Sequence, residues 1–196
     1  MVWSCLVSIL PGMAQTEKLT DYVNPFVGTD GYGNVYPGAQ IPFGGIQISP
    51  DTDSRFYDAA SGYKYNHLTL MGFSLTHLSG TGIPDLGDFL FIPGTGEMKL
   101  EPGTHEDPDQ GYRSRYSHDK EWASPNYYAV ELADYGVKAE MTSGVRSGMF
   151  RFTYPESDNA FIMIDMNHTL WQSCEWSNLR MINDSTITGY KLVKGW

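Results

Sequence analysis

Four carboxylates stand where acid–base chemistry could be carried: Asp85, Asp88, Glu121 and Asp165. An acidic, aromatic-rich chain can be a glycosidase that uses two such groups, about 6.5–9.5 Å apart for inversion or about 5–5.5 Å apart for retention. Spacing along the chain does not supply that separation. Turn chemistry is the competing reading for each acid, because Asp bonds readily to nearby backbone. Asp85 and Asp88 differ by context: they flank Gly87 just before the apolar run Phe89-Leu90-Phe91, which sets them at the mouth of a strand, where pocket acids lie. Two histidines complete the set. His77 lies in Ser74-Leu75-Thr76-His77-Leu78-Ser79-Gly80-Thr81-Gly82, and His118 in Ser117-His118-Asp119-Lys120-Glu121. Either can orient a sugar hydroxyl or a water, and either can equally be a hydrogen-bonded structural group.

Other chemistries find less support. There is no G-x-S-x-G elbow for a serine hydrolase. Gly31-Tyr32-Gly33 lacks the third glycine and the strand-to-helix setting of a dinucleotide site. No CxxC or spaced Cys/His cluster suggests zinc. Asp30, Asp51, Asp53 and Asp58 crowd one segment, but their spacing fails the EF-hand pattern.

The elements that position these residues begin with two stretches, 23–52 and 72–88, in which glycine and proline alternate with Phe, Tyr, His and Asp. Dense glycine and proline mark shaped loops, and the aromatic anchors set them apart from flexible Gly/Ser linkers. The remainder reads as short strands between turns. Residues 46–49, 89–92 and 98–100 are extended candidates, and 127–132, 137–141, 148–153 and 160–166 have the strongest β character, continued by 186–191 and 192–193. Asp134-Tyr135-Gly136 falls where a hairpin turn belongs, and consecutive antiparallel pairing is expected. Only 117–123 suggests a turn of helix, stopped by Pro125. Strands at regular spacing without long helices predict an all-β fold, an antiparallel β-sandwich.

At 196 residues the chain suits one domain, and its 41% hydrophobic content is enough for a core. The net charge of −10, with 13 Lys and Arg, argues against a nucleic-acid backbone and against an anionic membrane surface as partners. Residues 2–10 form an apolar run followed by Gly12-Met13-Ala14, so residues 1–14 read as the remnant of a secretion signal, although no basic residue precedes Lys18. An apolar N-terminal strand is the alternative, and the run is too short to span a bilayer. A secreted or periplasmic protein is expected, with Cys5 raising the weaker prospect of a membrane-anchored lipoprotein. Loss of Cys5 on cleavage would leave Cys174 without a disulfide partner.

Several ordered motifs closely resemble the N-terminal domain of glycoside hydrolase family 92, the calcium-dependent exo-acting α-mannosidases. They are Val23-Asn24-Pro25-Phe26-Val27-Gly28-Thr29, Tyr36-Pro37-Gly38-Ala39, Pro42-Phe43-Gly44 and Gln47-Ile48-Ser49-Pro50-Asp51. A second group comprises Gly72-Phe73-Ser74, His77-Leu78-Ser79-Gly80-Thr81-Gly82 and Asp85-Leu86-Gly87-Asp88. A third runs from Ser117-His118 through Glu121, Ala123, Pro125, Tyr127 and Tyr128 to Ala139-Glu140-Met141-Thr142 and Arg146. The resemblance extends over about residues 21–196.

It implies a two-domain enzyme, an N-terminal β-sandwich (here 15–196) against a C-terminal (α/α)6 barrel, that removes terminal α-mannose from glycans with inversion. In the family the acid, the base and most calcium ligands lie on the C-terminal domain. The chain ends directly after a strand, so it is expected to be an N-terminal fragment, probing a mannose-containing glycan but carrying no catalytic or metal-ligating residue of its own. By resemblance His77, Ser79, Asp85 and Asp88 fall on the leaving-group side of the pocket, and His118, Glu121 and Arg146 match further family positions. Where some α-1,2-specific members carry Trp, this sequence has Pro84, which leaves the linkage open. A stand-alone carbohydrate-binding β-sandwich is the alternative expectation.

Overall fold

The computed structural model describes residues 17–55 and 57–195. The apolar start, Cys5 and the expected cleavage point lie outside the described residues. Twelve strands follow one another: β1 (Ser49–Asp51), β2 (Thr69–Leu70), β3 (Gly72–Ser74), β4 (Leu90–Thr95), β5 (Ser114–Arg115), β6 (Glu121–Ser124), β7 (Tyr127–Leu132), β8 (Val137–Ser143), β9 (Gly148–Thr153), β10 (Ala160–Asp165), β11 (Ser173–Asn183) and β12 (Thr186–Lys194). All pairings are antiparallel. One four-stranded sheet has the order β1-β3-β4-β10 and the other β6-β7-β8-β9, while β2-β5 and β11-β12 form two-stranded ribbons.

The second sheet is a meander written in the residue alternation. Tyr128, Val130 and Leu132 on β7 and Val137, Ala139 and Met141 on β8 all point inward, because successive side chains of a strand face opposite ways. Burying each of the larger ones contributes about 1.5–3 kcal/mol. Phe150 and Phe152 of β9 meet the other sheet. Phe73 and Phe91, cross-strand partners on β3 and β4, lie with ring centroids 6.3 Å from Phe152 and 5.0 Å from Phe150, respectively. These aromatic contacts close the sandwich. The opposite face of β4 sends Leu90 and Ile92 into a smaller core with Met71 and Tyr112.

The expected strands at 127–132, 137–141, 148–153 and 160–166 are present within two residues at each end. Others need correction. The strand expected at 46–49 is displaced to β1, with Ile48 joining Ala39 only in an isolated bridge, because the chain there is shaped by Gly38, Gly44 and Gly45. Residues 98–100 form no strand. The helical turn expected at 117–123 is a single 3-10 turn, His118–Lys120, that runs directly into β6. After the β6–β9 meander consecutive pairing is interrupted: β10 crosses to β4 in the facing sheet, with Phe161 and Ile164 lying opposite Gly94 and Phe91, before such pairing resumes in β11-β12. β11 was not expected at all; its Ser, Asn and Arg content hides a strand that forms by pairing with β12. Among the described residues no helix is long and apolar enough to cross a membrane.

Candidate functional site

The two glycine-rich stretches meet at one end of the sandwich. Gly80 N–H donates to Asn34 C=O at 2.7 Å and Gln47 N–H to Leu75 C=O at 2.9 Å, while bonds from Leu75 N–H to Asp88 C=O at 3.0 Å and from Gly87 N–H to Thr76 C=O at 2.9 Å fold the second stretch on itself. Tyr65 N–H donates to Thr29 C=O at 2.9 Å and Lys64 Nζ to Gly31 C=O at 3.1 Å, so the first stretch is tied to the 64–67 turn as well. Ser79 and Tyr32 are exposed on this face, and Asn34 Oδ1 is buried without a hydrogen-bond partner.

Behind the loops lies a buried carboxylate. Asp51, fully buried at the end of β1, accepts from His77 Nε2 at Oδ1 and from His168 Nε2 at Oδ2, both at 2.7 Å. The other nitrogen of His77, Nδ1, lies 2.7 Å from Gln47 C=O and therefore donates to it; Ser74 Oγ is 3.0 Å from Nε2. Burial alone would push the Asp51 carboxyl up, but the two imidazoles outweigh it and hold it well below the usual carboxylate range. Gly62 makes room: with φ +86°, a Cβ there would sit 2.1 Å from Asp51 Oδ1. One buried group thus joins β1, the 74–77 turn and the loop after β10.

His168 carries the link onward. Its C=O accepts from Lys191 Nζ at 2.5 Å, and Lys191 also pairs with Asp88 Oδ1 at 3.0 Å while lying 5.6 Å from the Phe89 ring centroid. The β11-β12 ribbon is thereby fastened to the loop end. Asp88 Oδ2 accepts in addition from Thr76 Oγ1 at 2.9 Å. Asp85 Oδ1 accepts from Leu86 N–H at 2.7 Å and from the Gln172 amide. Gly87, between the two acids, has φ +76°, and a Cβ there would lie 2.6 Å from Leu170, so close docking of the 165–172 loop depends on it.

A second buried carboxylate, Glu121, sits at the start of β6. It accepts from Tyr63 OH at 2.9 Å, Tyr128 OH at 2.5 Å and His118 Nδ1 at 2.6 Å. His118 Nε2 donates to Tyr65 C=O at 2.7 Å, and its ring stacks on Tyr65 with centroids 3.9 Å apart. Burial, with Glu121 adding to it, pushes the Tyr116 and Tyr128 hydroxyls well above their usual range. Arg146 is exposed and distant in kind, on the β8-β9 turn beside Val145, whose C=O accepts from Gly45 N–H at 2.8 Å.

Of the residues singled out in the sequence, the fold joins His77, Asp85 and Asp88 through Thr76 and the 165–172 loop, keeps Ser79 on the exposed rim, and holds His118 and Glu121 in a separate cluster. Asp165 is committed to Tyr112 OH at 2.9 Å and to the N–H groups of Asn167 and His168. Among the described residues, no two of Asp85, Asp88, Glu121 and Asp165 share a bonding partner. The oxygens of Asp51 and Asp53 face N–H donors from His77, His168, Arg55 and His105, not one another. Among the described residues no group of three or more His, Cys, Asp or Glu could hold a metal, so this oxygen set does not fit calcium, which requires six to eight converging oxygens. Sequence reading missed His168, Lys191, Gln172 and Trp171. Asp51 was visible as the end of a family motif and in a run of aspartates, but nothing local pointed to His168; their pairing spans 117 positions.

A family model described as Glycosyl hydrolase family 92 N-terminal domain matches residues 22–196. Among solved structures, the family 92 glycosyl hydrolase ccman5 is 30% identical with a TM-score of 0.74, over 90% of this chain and 24% of its own. The family 92 inverting mannosidase BT2199 from Bacteroides thetaiotaomicron is 26% identical with a TM-score of 0.61, over 76% of this chain and 20% of its own. An uncharacterized secreted glycosidase of Arthroderma benhamiae is 30% identical over 139 residues, 70% of this chain and 17% of its own length. The chain therefore spans about a fifth of the relatives it matches.

Proposed function

The chain belongs to glycosyl hydrolase family 92, as its N-terminal domain, and from that premise we propose that it forms one wall of the substrate pocket in an exo-acting α-mannosidase that inverts configuration. The observation that carries this reading is the joining of the two glycine-rich stretches at one end of the sandwich through Gly80 and Asn34, with Ser79 and Tyr32 exposed there. Chemically, that rim can orient hydroxyls of a mannose-containing glycan. The general acid, the general base and the calcium site belong to an (α/α)6 domain outside this chain, in keeping with the commitment of each local carboxylate to fixed partners. The enzyme is exported, secreted or periplasmic, and the name of its fungal relative, a secreted glycosidase, supports the first of these.

The test is hydrolysis of an aryl α-mannoside by the purified chain and by the corresponding longer enzyme. Turnover is expected only from the longer enzyme, with calcium dependence and an inverted first product. Calcium-dependent turnover by the chain alone would overturn the assignment of the chemistry elsewhere, and a retained product would overturn inversion. A stand-alone carbohydrate-binding module predicts instead that no longer enzyme is needed for any activity of the chain, which then binds glycans without cleaving them.

A further inference from the structure

Trp171 occupies a backbone conformation that bulky residues rarely adopt, with φ +71°. Such a conformation is strained for a bulky side chain and persists only when its surroundings enforce it. They do so here. Leu170 N–H donates to Leu86 C=O and Trp171 N–H to Ser54 C=O, each at 2.9 Å, while Thr169 Oγ1 donates to Gln172 C=O at 2.7 Å. Leu170 is fully buried, and the next residue is turned outward. The indole is 48% exposed beside Tyr57, itself 51% exposed, with ring centroids 5.2 Å apart and planes at 48°. Neither ring belongs to the buried clusters of the sandwich.

The surroundings of the indole are polar. A cavity of about 330 Å³ is lined by Trp171, Gln172, Ser173, Lys194 and Gly195. A second, of about 340 Å³, shares Gln172 and adds Asn167, Thr169 and Asp165. Both lie at the small end of ligand pockets, the size suited to one or two sugar rings. A pyranose offers a C–H face to an aromatic ring and hydroxyls to the polar side chains of Gln172, Ser173 and Lys194 that line the first cavity.

We propose that Trp171 and Tyr57 form a stacking platform for a pyranose ring of a glycan, with Gln172 and Ser173 bonding its hydroxyls. This deepens the glycan reading of the previous subsection and rests on it.

The experiment is titration of the purified chain with α-mannobiose, α-mannotriose, maltose and a galactobiose, following the indole N–H resonances by NMR. The Trp171 resonance is expected to shift saturably, with Trp171→Ala weakening binding at least tenfold and Gln172→Ala about threefold. Trp176→Ala, on the ribbon surface, is expected to leave affinity unchanged. Binding undiminished in Trp171→Ala, or a Trp171 resonance unmoved by every sugar, would overturn the platform. The resonance of the unmutated chain decides the matter even where a variant fails to fold. Trp171-dependent binding of maltose alone would uphold the platform while counting against the mannosidase reading, so the two can fail separately.

Discussion

Asp51 and Glu121 are both buried carboxylates, and the fold neutralises them by opposite means. Asp51 receives two imidazoles, His77 and His168, brought from the 74–77 turn and the loop after β10. Glu121 receives two phenols and one imidazole, from Tyr63, Tyr128 and His118. The first arrangement places charged or chargeable donors on a carboxylate with no exposed surface and ties three site loops together. The second spreads the charge over neutral hydroxyls that also fill the core, so it supports the sandwich more than the loop end. Protonation of the depressed Asp51 carboxyl in acid removes the first arrangement, whereas ionisation of the raised Tyr128 hydroxyl in alkali weakens the second.

The largest expected effect is from Asp51→Ala, which strands two buried imidazoles and is expected to cost about 3–5 kcal/mol in denaturant unfolding. Retention of full stability would mean that the two rings relax to other partners. Next comes Tyr128→Phe, which removes one donor from Glu121 while keeping the ring in the core, for an expected loss of about 1.5–3 kcal/mol. A smaller loss than that would show Tyr63 and His118 together able to satisfy the carboxylate.

The pH dependence separates the two regions further. Asp51 is depressed in the folded protein, so the unfolded chain binds more protons in acid; its contribution is present above the unfolded value near about pH 4 and is lost as pH falls below it. The hydroxyls of Tyr116 and Tyr128 are raised, so their contribution is present below about pH 10 and is lost as pH rises beyond that. Melting temperature measured across pH is expected to lose part of its acid limb in Asp51→Asn and part of its alkaline limb in Tyr128→Phe; the reverse assignment would refute the comparison. The smallest effect belongs to Arg146→Ala. This exposed side chain lies apart from both clusters, and the change is expected to stay within about 0.5 kcal/mol.

The meander was legible because its chemistry is local. Tyr128, Val130 and Leu132 alternate with Tyr127, Ala129 and Glu131, of which only the small Ala129 is also buried, and the Asp134-Tyr135-Gly136 turn lies between β7 and β8. β10 was legible as a strand but not in its pairing, since alternation says which face is buried and nothing about which edge receives it. β11 was illegible because a ribbon with Ser173, Asn178 and Arg180 draws its order from β12. In the site, Asp85, Asp88 and His77 could be noticed from the loops that carry them. Their partners Gln172 and Lys191 could not, because each comes from 80 or more positions away and local pattern contains no term for such distances.

By itself the sequence determined the all-β class, the shaped character of the two glycine-rich stretches and the family, because dihedral freedom, alternation and ordered motifs are properties of neighbouring residues. Only the tertiary structure decided that Asp51 is shared by His77 and His168, that Lys191 fastens a ribbon to Asp88, and that Trp171 faces outward. Those outcomes depend on desolvation and hydrogen-bond geometry at points where distant segments meet, and neither exists until the chain has folded.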